Sequence, residues 1–328
     1  MKAAQLVEPG HVVVTDLPAP RPALDEILVR TEIAAICGSD LHAVFAGDIE
    51  PLTYPCPPGY PGHESVGTVI ESRHPGFAIG DVVLSVPAAI DSRGFAEIQK
   101  LSALNALPCP SEIDRAEILM AQQMGTVLFA LKRFWSGAPG QTAAIFGSGP
   151  AGLHFLQLLK LRGFEKVIVV EPSSARLRLA AQLGADLTIS ADEVPPVEAI
   201  MDFTHGHGAD LVVESAGRDL ARVQAMEAVA QGGRVGLYGL PEGGGNAVFP
   251  YQNIFRRLAS IEVSVGAQSE PGLSSFKAAI ELISSGTIRV GPLISHVISL
   301  QDIAQAFDLA RTLKDDAIKI CVSFGVTG

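Results

Sequence analysis

Charge is scarce in this chain, and positive charge scarcer. Of 328 residues, 18% are Asp, Glu, Lys or Arg, with 24 basic against 35 acidic side chains and a formal net charge of −11. Phosphate binding requires clustered Lys and Arg, so nucleic acid is excluded as the main partner. Long apolar runs are missing too: nothing approaches the ~18 unbroken apolar residues of a membrane helix. The opening residues have no apolar core and break at Pro9-Gly10, unlike a signal peptide. The expectation is a cytoplasmic protein that makes no membrane contact. Cysteine is sparse. Cys37, Cys56, Cys109 and Cys321 have no paired spacing, which favours free thiols or a metal ligand over disulfides. What is present is a 48% hydrophobic chain, too apolar for disorder and long enough for two domains with cores of their own.

The first third reads as short β segments broken by Pro and Gly: Val12 to Val14, Ile27 to Val29, Val66 to Ile70 and Val82 to Leu84. Texture changes near Gly137. Apolar strands at Thr142–Phe146, Val167–Val170, Asp210–Glu214 and Arg234–Tyr238 then alternate with helices at Ala151–Leu161 and Ala175–Leu183. That alternation predicts an α/β fold with a parallel sheet covered on both faces. Helices over Ser274–Ile283 and Ile303–Leu313 and a strand at Ile318–Val322 close the chain, and this tail is expected to return to the first domain.

Gly147-Ser148-Gly149-Pro150-Ala151-Gly152 stands between a strand and a helix. Gly147 permits the tight turn, Gly149 lets backbone approach a pyrophosphate, and Gly152 allows close helix–strand packing. The helix N-terminus at Pro150 and Ala151 offers N–H groups and positive dipole. Glu171 ends the next strand, placed to accept from both ribose hydroxyls and to repel a 2′-phosphate, so NAD is favoured over NADP. Arg176 is a contact to the adenosine end or a solvated helix residue.

A second cluster comes earlier. Cys37-Gly38-Ser39-Asp40-Leu41-His42 is followed by Gly62-His63-Glu64. Thiolate, imidazole and carboxylate are competent zinc ligands, and a catalytic site keeps one position open. Together with Gly80-Asp81-Val82-Val83, the glycine turn, Gly208 to Gly217 and Lys319, these residues make the chain resemble the zinc-dependent medium-chain alcohol/polyol dehydrogenases over nearly its whole length. The resemblance implies a GroES-like β-rich catalytic domain over 1–136 and 270–328, and a Rossmann doubly wound NAD-binding domain over 137–269. It implies that Cys37 and His63 bind catalytic zinc, that Asp40 orients His63, and that Ser39 starts a proton relay through the cofactor ribose to His42. It also implies a homodimer or homotetramer, with Ser260–Val265 as an edge strand that pairs between subunits.

Two departures stand out. The four-cysteine structural-zinc lobe is absent, because only Pro87 to Arg93 separates Val86 from Gly94; one zinc per chain is expected. At the position where polyol-type relatives carry a third acidic ligand stands Gln122, and a neutral amide is a poor zinc ligand. Glu64 is the expected substitute, with Gln122 hydrogen-bonded to water or substrate; Gln122 itself, or water, remains the alternative. Phe45 and Phe95 are candidates for the substrate pocket or for core, while His205, His207, His296 and Gly243 to Gly245 are read as structural or turn residues. The expected activity is NAD-dependent, zinc-assisted oxidation of a small secondary alcohol or polyol, reversible to the ketone. The alternatives are a zinc-free reductase of an activated carbonyl or double bond, and a non-catalytic nucleotide-binding protein on the same fold.

Overall fold

The β-branched runs of the first third pair into sheets. A computed structural model describes residues 1–46, 52–88, 91–137, 140–241 and 248–325. Lys2–Glu8 (β1) and His11–Asp16 (β2) form an antiparallel hairpin turned at Gly10, whose φ is +75°. Glu26–Ala35 (β3) leads into one turn of helix, Gly38–Leu41 (α1), extended by a π-helical turn over His42–Ala46. Glu64–Ser72 (β4), Val82–Ser85 (β5), Ile98–Ser102 (β6) and Ala106–Pro108 (β7) follow. Then comes the long helix Arg115–Phe134 (α2).

Strand and helix alternate from there. They are Thr142–Phe146 (β8), Pro150–Leu161 (α3), Lys166–Glu171 (β9), Ser174–Gln182 (α4), Leu187–Ser190 (β10) and Pro196–Phe203 (α5). Ala209–Glu214 (β11), Asp219–Glu227 (α6), Val229–Leu237 (β12), Tyr251–Arg257 (α7) and Ser260–Val263 (β13) continue the series. The tail holds Ser274–Ser284 (α8), Ile294–Ser299 (β14), Ile303–Thr312 (α9) and Lys319–Ser323 (β15).

The chain divides into two units, Met1–Gln123 with Pro271–Gly328, and Met124–Glu270. In the first, the strand order is β14-β15-β3-β4-β5-β7, with β6 also paired to β3. β15 lies antiparallel on β3, with Cys321 opposite Ala35, so the tail completes the sheet that the first third began. The GroES-like core gathers Leu6, Val44, Phe95, Phe307 and Val322, and the rings of Phe95 and Phe307 meet edge to face at 5.6 Å. Phe95 is fully buried; it is core, not pocket lining.

In the second unit six parallel strands run β10-β9-β8-β11-β12-β13. The order reverses between β8 and β11, and in such sheets ligands bind beyond the strand C-termini at that point. This is the Rossmann arrangement. α2 carries the chain from one unit to the other, before the change of texture at Gly137. Its stretch from Ile118 to Leu131 is buried on almost every side.

Truncating Phe307 to Ala removes a fully buried ring from the first unit's core and should destabilise that unit by about 3–5 kcal/mol. Leu104→Ala, at an 83% exposed position, should stay within about 0.5 kcal/mol. Urea titration of the two variants checks this; equal midpoints would refute the assignment of Phe307 to the core.

Candidate active site

The first cluster is organised by a helix start. Cys37 is the N-cap of α1, in extended conformation, and Asp40 is the third residue of that helix. An acidic side chain there reaches back to the free N–H of the cap: Asp40 Oδ2 accepts from Cys37 N at 2.9 Å. Its other oxygen, Oδ1, lies 2.9 Å from His63 Nδ1. Asp40 is only 1% exposed, and such burial is tolerable because both oxygens are engaged. With Nδ1 committed to the carboxylate, Nε2 is the His63 nitrogen left to hold a metal.

Glu64 opens β4 directly after His63. The ligand atoms of Cys37, His63 and Glu64 all lie within 4.8 Å of one another. A soft thiolate, an imidazole and a carboxylate so gathered fit a zinc ion with a position left for substrate. Behind Glu64 stands Lys319, at the start of β15, its Nζ 2.5 Å from Glu64 Oε2, each residue 1% exposed. Burial by itself lowers the Lys319 pKa, but Glu64 and Cys37 outweigh it and hold the ammonium charged. Burial likewise works against a charged His63, yet Asp40 and Cys37 raise its pKa well above the usual 6.5.

The other expected residues take varied places. Ser39 and His42 are half-buried on α1 and the turn after it, where the His42 N–H caps Gly38 O and Ser39 O. Gln122 is buried on α2, and its Nε2 has no hydrogen-bond partner among the described residues. Phe45 is 37% exposed and lies under the Arg311 guanidinium at 5.1 Å. His205 and His207 are exposed in the turn before β11, His205 with φ +53°. His296 Nδ1 lies 3.0 Å from Ser295 Oγ. Gly243 to Gly245 lie outside the described residues.

The glycine turn is built as its sequence demands. Gly147 has φ +96°, and a Cβ on Gly152 would stand 1.9 Å from Gly147 O. Gly149 caps α3, Pro150 is its first residue, and Ala151 follows in the first turn. Glu171 is tied to the turn itself: Oε2 accepts from Ser148 N at 2.8 Å and Oε1 from Ser173 N at 3.2 Å. Each oxygen keeps lone-pair capacity for a hydroxyl donor. Arg176 is 9% exposed, with Nη1 3.7 Å from where a Gly149 Cβ would be. Burial lowers its pKa and Glu171 opposes that, so it is no solvated helix residue. The turn and its neighbours fit a dinucleotide.

Sequence reasoning missed the role of Lys319. Its signal was a lone cation inside the apolar run Ile318 to Val322, but nothing local names Glu64 as its partner. It also missed that Glu171 braces the glycine turn.

Comparisons with known proteins place the chain in a family. Residues 23–104 match the alcohol dehydrogenase GroES-like domain, and residues 150–285 the zinc-binding dehydrogenase family. An L-threonine 3-dehydrogenase of Bacillus velezensis is 30% identical over 322 residues, covering 90% of this chain and 91% of its own. A solved Escherichia coli oxidoreductase/dehydrogenase of unknown specificity superposes with TM-score 0.89 at 26% identity, over 99% of both chains. A Sinorhizobium meliloti dehydrogenase assigned as zinc-binding, solved with NADP, gives TM-score 0.87 at 25% identity, over 98% of both chains. The chain belongs to the zinc-dependent medium-chain alcohol dehydrogenases.

Proposed function

We propose that this enzyme transfers a hydride between NAD(H) and a small secondary alcohol or polyol, using one zinc ion held by Cys37, His63 and Glu64. The observation that carries the reading is the approach of those three ligand atoms to within 4.8 Å, with Asp40 bonded to two of the three residues. Zinc bound there supplies Lewis-acid polarisation that makes the alcohol easier to deprotonate, and NAD accepts the hydride. The chain's own residues do the rest. Asp40 fixes the His63 ring; Ser39 holds the substrate hydroxyl and takes its proton, which His42 passes to solvent. Lys319 compensates the charge of the buried Glu64, and Gln122 offers its spare amide N–H to substrate or water. Glu171 favours NAD through the ribose hydroxyls, while Arg176 lies over the turn toward the phosphates and adenosine. The relative named for L-threonine brings amino alcohols into the substrate range alongside polyols.

No helix among the described residues is long and apolar enough to cross a membrane, and a cytoplasmic location accords with the acidic chain. A homodimer or homotetramer is favoured by the edge position of β13. Val263 on that strand, and Phe255, Leu258 and Val265 near it, leave 57–78% of their surface exposed, more apolar area than a lone edge should show. Sedimentation of Val265→Glu against the unaltered protein reads this directly: the variant should shift toward monomer.

An NAD-reduction screen with zinc-loaded protein over secondary alcohols, polyols and amino alcohols should show turnover. Ser39→Ala should lower kcat by roughly 10²–10⁴, and turnover unaffected by this change would remove Ser39 from the proton path. Asp40→Asn should weaken zinc retention against a competing chelator by about 10–100-fold. Thiol labelling gives an independent check. Burial pushes the Cys109 and Cys321 thiols up to about 12, leaving about 10⁻⁴ as thiolate at pH 8, and Cys56 is buried. Iodoacetamide should therefore label Cys37 in chelator-treated native protein and spare it when zinc is restored. Labelling indifferent to zinc would contradict Cys37 as a ligand.

A further inference from the structure

Glu214, a buried acid at the switch point of the Rossmann sheet, has no part in the chemistry above. It ends β11, in register with Phe146, the last residue of β8. Its side chain is fully buried. Oε1 accepts from Ala216 N at 2.8 Å and Gly217 N at 2.7 Å, while Oε2 has no hydrogen-bond partner among the described residues. Between these residues, Ser215 donates its Oγ to Phe146 O at 3.1 Å and Gly147 O at 3.0 Å.

Residues 215–217 therefore lie hard against the glycine turn. A Cβ on Gly147 would stand 2.9 Å from Ala216 N, one on Gly217 2.1 Å from Leu240 O, and one on Gly239 2.3 Å from Gly217 N and 2.9 Å from Glu214 Oε2. The backbone leaving β8, β11 and β12 is stacked so tightly that only glycine fits at each contact, and the Glu214 carboxyl is bonded into the middle layer. Burial pushes that carboxyl above the ordinary range. The N–H groups of Gly217 and Ala216 and the charge of Arg222 on α6 oppose the shift, and Asp219 on α6 adds to it.

We infer that Glu214 is a positioning residue for the dinucleotide: by holding the N–H groups of Ala216 and Gly217, it fixes the wall against which the glycine turn keeps its binding shape. The inference rests on the reading of that turn as the NAD site. It separates from a merely stabilising role because its loss should act on the cofactor alone.

The test is an NADH titration by fluorescence of zinc-loaded wild type, Glu214→Gln and Glu214→Met. Gln keeps the acceptor and is neutral; Met keeps the length and removes the acceptor. E214Q should bind NADH within about threefold of wild type, and E214M about tenfold or more weakly, because two N–H groups lose their partner. In E214M the KM for NAD should rise by the same factor, with zinc content and the KM for alcohol unchanged. Should E214M fail to fold, Glu214→Asp, one methylene short of both N–H groups, carries the same expectation. Unchanged NADH affinity in E214M or E214D, equal rises in both KM values, or a loss in E214Q matching that in E214M overturns the inference. Wild type that does not bind NADH overturns the cofactor reading itself, and this inference with it.

Discussion

Everything at the proposed metal site hangs on one carboxylate. Asp40 accepts the N–H of Cys37 with one oxygen and engages His63 Nδ1 with the other, so one side chain sets both the helix start that carries the thiol and the ring that faces it. Those two proposed ligands come from different parts of the chain, the turn after β3 and the approach to β4. No sheet hydrogen bond joins them directly. Short contacts to a fully buried acceptor hold their geometry before any metal arrives, and that preorganisation is what a zinc site needs to act as more than a chelator.

Charge is managed on the far side of the same cluster. A buried carboxylate beside a thiolate is unfavourable unless something positive is close. Lys319 meets that need at 2.5 Å from Glu64, and it is the last strand of the chain that delivers it. The return of the tail to the first unit is thus more than an economy of folding: β15 gives the buried Glu64 a cation that does not depend on bound metal. The same logic in the Rossmann unit favours a different solution for Glu214, where backbone N–H groups serve in place of a cation and burial favours the neutral acid.

What could be read from sequence follows the range of each interaction. The glycine turn is legible because its constraints are local: Gly147 and Gly152 are needed by backbone a few residues away. Cys37, His63 and Glu64 are legible as a set of zinc-competent types in two short motifs, and the Asp40–His63 contact follows from the family resemblance; only the hydrogen bond from Cys37 N to Asp40 is visible in space alone. Lys319 is opaque because its partner lies across the sheet, more than half the chain away. Helix α2 is not announced by the sequence, yet Gln122 on it is legible as a departure from the acidic residue of polyol-type relatives; only the structure shows its buried Nε2 without a hydrogen-bond partner among the described residues. Phe95, left open between pocket and core by its sequence, turns inward to Phe307 because β15 and α9 close over it; the sequence before residue 100 contains no trace of that cover.

The most direct test of a single zinc held by one thiolate is the zinc K-edge X-ray absorption spectrum of the metal-loaded protein, taken with its metal stoichiometry. The account predicts one zinc per chain with one sulfur neighbour at about 2.3 Å and nitrogen or oxygen neighbours at about 2.0–2.2 Å. A first shell with no sulfur, or with two or more, would contradict it.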